Sequence, residues 1–128
     1  MPRPIVATST DHLKRLAHSA IQKNGPACDL NHIDVSGINK FIGIFKDTLF
    51  NGDISCWDTS NALSFRSMFE NCPFNGDISQ WQTQNATAFA RMFLKSGFNG
   101  DVSNWDVSNA LVMTVMFSYS AFNGDVSR

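Results

Sequence analysis

Four aspartates recur every 24 residues, Asp53, Asp77, Asp101 and Asp125, each two places after an asparagine (Asn51, Asn75, Asn99 and Asn123). Hard cations take oxygen ligands, so a file of carboxylates could hold calcium in a ladder. Calcium sites, however, draw several oxygens from each turn, and this repeat supplies one carboxylate per turn. An aspartate in such a turn more simply accepts backbone N–H bonds from its own turn. The column is read that way, and no metal or cofactor is expected.

Nucleophilic chemistry has one opening. Cys56 falls at the same phase of the repeat as His32, the single base within one coil of it. A nucleophile needs a base, and usually a third residue that orients that base; no third residue or oxyanion device accompanies this pair, so the chain is read as not an enzyme. His12 and His18 stand six apart on a helix, which is not a ligand spacing, and are read as solvated. Cys28, Cys56 and Cys72 occupy three different phases and form no CxxC. That argues against a disulfide framework or a zinc site, and for reduced thiols in a cytoplasmic setting. Met68, Met92 and Met116 form a stripe at core phases and are read as packing rather than a cofactor box. Asn85-Ala86-Thr87 spells a glycosylation sequon, but the N-terminus lacks the apolar run of a secretory signal.

A repeat positions all of these residues. Phe50–Pro73 (FNGDISCWDTSNALSFRSMFENCP) returns as Phe74–Gly97, as Phe98–Ala121 and as the fragment Phe122–Arg128, while Pro26–Leu49 keeps the same phase in degraded form. A period of 24 without a slip marks stacked supersecondary units. Ile54, Trp57 and Thr59 are spaced to face inward from a short strand, as are Ile78, Trp81, Thr83, then Val102, Trp105, Val107, and more loosely Leu30, Ile33, Val35. Ser60-Asn61 offers a cap, and Ala62, Phe65, Met68 and Phe69 follow at near-helical spacing, predicting one or two turns of helix per coil. The Phe-Asn-Gly-Asp phrase closes the loop, with Asn-Gly expected to supply positive φ. Stacking would place equivalent strands about 4.8 Å apart in one parallel sheet. Burying each large ring is worth roughly 1.5–3 kcal/mol, so aromatic columns should dominate stability. Asn61, Asn85 and Asn109 form a further column able to bond the backbone; Gly37 breaks it in the first coil.

Upstream, Met1–Ser9 reads as an extended lead-in. Ser9 or Thr10 can cap a helix with Asp11 in its first turn, and Leu13, Leu16, Ala17, Ala20 and Ile21 make one apolar stripe. Asn24-Gly25-Pro26 stops it, with Gly25 free to take positive φ. The helix is read as a lid over the first coil. At 128 residues the chain is one domain, divided into residues 1–25 (lead-in and capping helix) and 26–128 (one degenerate, three full and one partial coil).

The charge balance excludes some functions. Residues 1–48 carry six Lys/Arg against four Asp, and 49–128 carry four against seven Asp/Glu, for a net charge of −1. No basic stripe marks nucleic-acid binding, and no stretch approaches the ~20 apolar residues of a membrane helix. What remains is a surface for proteins. His32, Cys56, Gln80 and Asn104 share one outward strand position, and Asp34, Asp58, Gln82 and Asp106 share the other. Such variation on a fixed scaffold is where a solenoid reads a partner; a merely solvated face is the plain alternative. The repeat stops at Arg128 before the next Trp position. Met113, Met116 and Phe117 are therefore expected to be partly open and to bind a target protein or a second copy, giving a homodimer through the uncapped C-terminal coil.

The phrase FNGDIS-x-WDTSNA…MF resembles the repeat of the BspA-like leucine-rich repeat surface proteins, a form common in mycoplasma lipoproteins, over about residues 28–128. The resemblance implies a leucine-rich-repeat-like solenoid and a role in adhesion or partner binding. The family motif carries no catalytic residues. The expected fold is therefore α/β: a right-handed, leucine-rich-repeat-like solenoid of 24-residue coils (short parallel strand plus short helix) with an N-terminal capping helix. The expected function is non-catalytic protein binding by a small intracellular interactor, such as a phage-type anti-defence or immunity protein. A fragment of a BspA-like surface adhesin is the alternative.

Overall fold

A computed structural model of the chain describes residues 4–122. Helix α1 spans Thr10–Asn24. Ser9 is its N-cap, with Oγ accepting from the His12 N–H at 3.0 Å, and Asp11 lies in the positive first turn. Gly25 ends it: at φ 89 and ψ 168 its N–H returns to the Ile21 carbonyl at 2.8 Å. Leu13 and Ala17 are fully buried, and Leu16, Ala20 and Ile21 pack on the same core. The lead-in is more than extended chain. Strand β1 (Ile5–Val6) pairs in parallel with β2 (Ile33–Asp34), Ile5 opposite Ile33, so it adds a strand to the first repeat.

Each later segment lies against the one 24 residues away. Parallel bridges join Asp29 to Asp53 and run Lys40–Ser64–Ala88–Val112. Four aromatic files follow the same step. Trp57, Trp81 and Trp105 stack with centroids 6.4 and 6.5 Å apart and nearly parallel planes. Phe50, Phe74, Phe98 and Phe122 stack at 5.8, 6.3 and 6.0 Å, and Phe45, Phe69, Phe93 and Phe117 at 5.7, 5.6 and 5.2 Å. Phe41, Phe65 and Phe89 form the fourth, at 5.5 and 5.7 Å. Each indole also has a polar tip to satisfy. The Nε1–H groups of Trp57, Trp81 and Trp105 donate to the carbonyls of Leu30, Ile54 and Ile78 at 2.9, 3.1 and 3.0 Å, which ties each ring to the winding before it.

The inward positions Ile54, Trp57, Thr59, Ile78, Trp81, Thr83, Val102 and Trp105 are buried, and Val107 is half-buried. The elements that carry them differ from those expected. No helix besides α1 is present among the described residues; in the segment 62–69 Ser64 forms a bridge and turns run from Arg66 onward. The N–H groups of Phe65, Ser67, Phe69 and Asn71 cross to the carbonyls of Ala88, Ala90, Met92 and Leu94 in the next winding. Those of Met68 and Glu70, between them, turn back three residues to Phe65 and Ser67. An α-helix would keep every one of these donors for itself. Positive φ recurs at Gly43, Ser67, Arg91 and Val115, and again at Asp47, Asn71, Lys95 and Tyr119, which interrupts any right-handed run.

Among the described residues the Asn-Gly pair of the Phe-Asn-Gly-Asp phrase does not supply positive φ; the positive-φ glycines there are Gly25 and Gly43. Gly52 is needed instead for close approach, since a Cβ there would sit 1.9 Å from the Cys28 carbonyl oxygen of the preceding winding. Of the expected short strands, the first coil keeps β2, while Ile54–Thr59 and its later equivalents carry no strand or bridge; the single bridges fall elsewhere, at Asp29–Asp53 and along Lys40, Ser64, Ala88 and Val112.

Candidate functional site

The outward row is held between the inward residues of each winding. Cys56, Asp58, Gln80, Gln82, Asn104, Asp106 and Asp34 are exposed, and His32 is half-buried. Its carboxylates are fixed locally. Asp34 Oδ1 accepts from the Ser36 hydroxyl at 2.7 Å and N–H at 2.9 Å, and Asp58 Oδ1 from those of Ser60 at 2.7 and 3.0 Å. Asp106 accepts from the Ser108 N–H at 2.9 Å. The serine hydroxyls, then the serine N–H groups, hold Asp34 and Asp58 below the ordinary carboxylate value. Gln80, Gln82, Gln84, Asn104 and Asp106 rim a shallow groove of about 320 Å³ whose floor includes Trp81.

Cys56 gains no activating base. Among the described residues its Sγ contacts Ser55 Oγ at 4.0 Å, and its N–H donates to Asn31 Oδ1 at 2.9 Å. His32 does not join it. Cys28 and Cys72 are buried, and burial raises both thiols above the usual range. The two helix histidines, read as solvated, are both engaged. His12 Nδ1 accepts from the Thr8 N–H at 3.0 Å, and His18 Nε2 donates to the Ile44 carbonyl at 2.9 Å.

The aspartate column is built as turns. Asp53, Asp77 and Asp101 each accept on Oδ1 from the N–H of the serine two residues on, Ser55, Ser79 and Ser103, at 2.9, 2.9 and 2.8 Å, and the Ser55 and Ser79 hydroxyls donate to the same oxygen at 2.7 and 2.6 Å. These bonds lower all three carboxyls: through the Ser79 and Ser103 hydroxyls first at Asp77 and Asp101, and through the Ser55 N–H first at Asp53. Asn51 Oδ1 accepts from the Asn75 N–H at 2.8 Å, and Asn75 Oδ1 from the Asn99 N–H at 2.7 Å. Asp125 and Asn123 lie outside the described residues. Among those described, no three His, Cys, Asp or Glu side chains converge as a metal site would need.

The second asparagine column faces the backbone: Asn61, Asn85 and Asn109 donate from Nδ2 to the carbonyls of Ser36, Ser60 and Gln84 at 2.8, 2.8 and 2.7 Å. With Leu63, Thr87 and Leu111 they line a groove of about 460 Å³ that sequence reasoning missed. The signal was there in Leu63 and Leu111, which share a phase one place after the buried Ala62. At the last described winding Met113 is exposed and Phe117 half-buried, as expected, but Met116 is not open: it is 5% exposed, like its phase-mates Met68 and Met92 a core residue. Leu111, Val112, Val115 and Tyr119 join Met113 as exposed apolar residues there.

The geometry thus defines a repeat protein whose buried files recur every 24 residues. The family model described as Mycoplasma protein of unknown function, DUF285, matches residues 14–128, and the chain belongs to that family. No curated protein and no solved structure matches it. Among the described residues no helix is long and apolar enough to cross a membrane.

Proposed function

We propose that this chain is a non-catalytic protein-binding module: a right-handed, leucine-rich-repeat-like solenoid of the BspA-like kind that reads its partner with the outward row. The observation that carries this reading is the contrast within each winding. Ile54, Trp57 and Thr59 repeat almost unchanged as Ile78, Trp81 and Thr83, while Cys56 and Asp58 between and beside them become Gln80 and Gln82, then Asn104 and Asp106. A fixed interior with a changing skin is the arrangement by which repeat proteins recognise partners. The net charge of −1 suits a protein partner better than nucleic acid. Three free cysteines, two of them buried, favour a reducing compartment and hence an intracellular binder or inhibitor, such as an anti-defence or immunity protein.

The test is affinity capture from the native host with the wild-type chain and with a variant carrying Gln80→Ala, Gln82→Ala, Asn104→Ala and Asp106→Ala. The variant should lose the captured protein while its melting temperature stays near that of wild type. A partner retained by the variant would overturn the assignment of this row. The resemblance of the FNGDIS phrase to BspA-like surface proteins supports a second reading, a segment of a surface adhesin. That reading expects the native gene product to be cleaved by protease added outside intact cells.

A further inference from the structure

We infer that Asn51, Asn75 and Asn99 are sites of self-modification: each becomes aspartate or isoaspartate when its winding separates from its neighbour, and modification of one unlocks the next. The Asn-Gly pairs at 51–52, 75–76 and 99–100 are a feature that neither turn geometry nor partner binding uses, since their glycines hold no positive φ. Packing demands those glycines. A Cβ at Gly76 would sit 2.7 Å from the Phe74 ring and 3.0 Å from the Gly52 carbonyl oxygen, and one at Gly100 would sit 2.8 Å from the Phe98 ring. Each of the three asparagines is exposed to water and is followed by the one residue whose nitrogen no side chain screens. The step needs only water as co-reactant. The Gly52 nitrogen attacks Asn51 Cγ, and the new N–C bond displaces Nδ2 as ammonia, which carries off the glycine proton and leaves a five-membered imide. Water then splits the imide, at Cγ to give aspartate or at the main-chain carbonyl to give isoaspartate, whose chain runs on through Cβ and Cγ.

Stacking withholds this reaction. Ring closure must swing the Asn-Gly peptide toward the side chain, and the preceding winding holds the backbone on both sides of it. The Asn51 N–H donates to the Pro26 carbonyl at 2.8 Å and the Asp53 N–H to the Cys28 carbonyl at 3.1 Å. One winding on, the Asn75 N–H is held by Asn51 Oδ1 at 2.8 Å, and the Asn99 N–H in turn by Asn75 Oδ1 at 2.7 Å. The backbone of each later asparagine is thus tied to the very amide that the reaction consumes in the winding before. Aspartate keeps an oxygen in that place. Isoaspartate does not: it lengthens the chain by one carbon beside Gly52, where a Cβ would already lie 1.9 Å from the Cys28 oxygen, and carries the acceptor out of line. Asn75 then loses its tether and closes its own ring more readily. Modification therefore travels from Asn51 to Asn75 to Asn99 and not back, because Asn51 is tethered to a main-chain carbonyl. A separation of windings becomes covalent, and the chain that suffered it no longer restacks in register. This chemistry is independent of the protein-binding reading.

The test incubates the full chain at mildly alkaline pH and follows each asparagine by peptide mapping and mass spectrometry. All three should react about tenfold or more slowly in the folded chain than in the chain unfolded by urea, because reaction waits on local opening. Asn51→Ala should speed Asn75 severalfold while Asn99 keeps its wild-type rate; Asn51→Asp, which retains the oxygen, should leave Asn75 slow. Asn75→Ala should speed Asn99 and leave Asn51 unchanged. Equal rates in the folded and unfolded chain would overturn the inference. So would either alanine variant that speeds all the remaining sites alike, or none of them.

Discussion

The first and last described windings are built from the same repeat and end in opposite conditions. At the first, Ile5 of β1 and the adjoining Ala7 donate to the carbonyls of His32 and Asp34, α1 covers those of Lys40 and Ile44, and Leu13 and Ala17 are sealed. At the last, equivalent positions lose their cover. Ala62 is fully buried while Ala110 is half-buried, and Leu63 is 44% exposed while Leu111 is 82% exposed. Burial in this molecule is thus conferred by the neighbouring winding rather than by a winding's own sequence. A cap must match the face it covers, and side-chain donors on α1 match carbonyls because carbonyls are what the first winding presents. The same helix would be useless at the other end.

Two leucines measure the size of that difference. Leu13→Ala should lower the unfolding free energy by about 2–5 kcal/mol, because it opens a cavity between α1 and the first winding. Leu111→Ala should change it by no more than about 0.5 kcal/mol. Urea unfolding of the two variants checks both. Similar losses would mean that the far end is covered, and the contrast between the ends would collapse. The capping bond itself is worth less. His18→Ala leaves the partly buried Ile44 carbonyl without its donor, at a cost of about 1–3 kcal/mol, and should speed amide exchange in α1 ahead of Trp81. Loss spread evenly over all windings would show that His18 is not a cap.

Much of this organisation was legible in the repeat. The files of Trp57, Trp81 and Trp105 follow from period and apolarity alone, because a side chain recurring in register must meet its own copies. The outward row was legible as the positions between them. The helix was not, for a definable reason. Ala62, Phe65, Met68 and Phe69 recur at helical spacing, yet turns that point one residue in three inward give nearly the same pattern. The cue that separates the two is Gly43 and Asn71 at phases where positive φ recurs, since both residue types tolerate it. Gly52 misled in the other direction: its small size serves the Cys28 carbonyl pressed against it, not a turn. Met116 is expected at an open end, but it is 5% exposed, a core residue like Met68 and Met92. The polarity of the ends lay beyond sequence reading altogether, because backbone donors and acceptors are common to every residue.

Backbone strain offers the finest comparison between interior and end. Arg91 at φ 61 and Val115 at φ 50 share a phase, and each holds a left-handed conformation that costs a non-glycine residue about 1–2 kcal/mol. Arg91 is held there by its N–H bond to the Thr114 carbonyl at 3.1 Å; Val115, one winding on, has no such acceptor among the described residues. Glycine removes the strain but adds freedom to the unfolded chain, so Arg91→Gly should gain only about 0.5–1 kcal/mol. Val115→Gly should gain more, because a β-branched side chain is the least suited to positive φ. That ordering requires the last winding to keep its φ using only the contacts behind it. If Val115→Gly proves neutral while Arg91→Gly stabilises, the end relaxes in solution and releases its own strain.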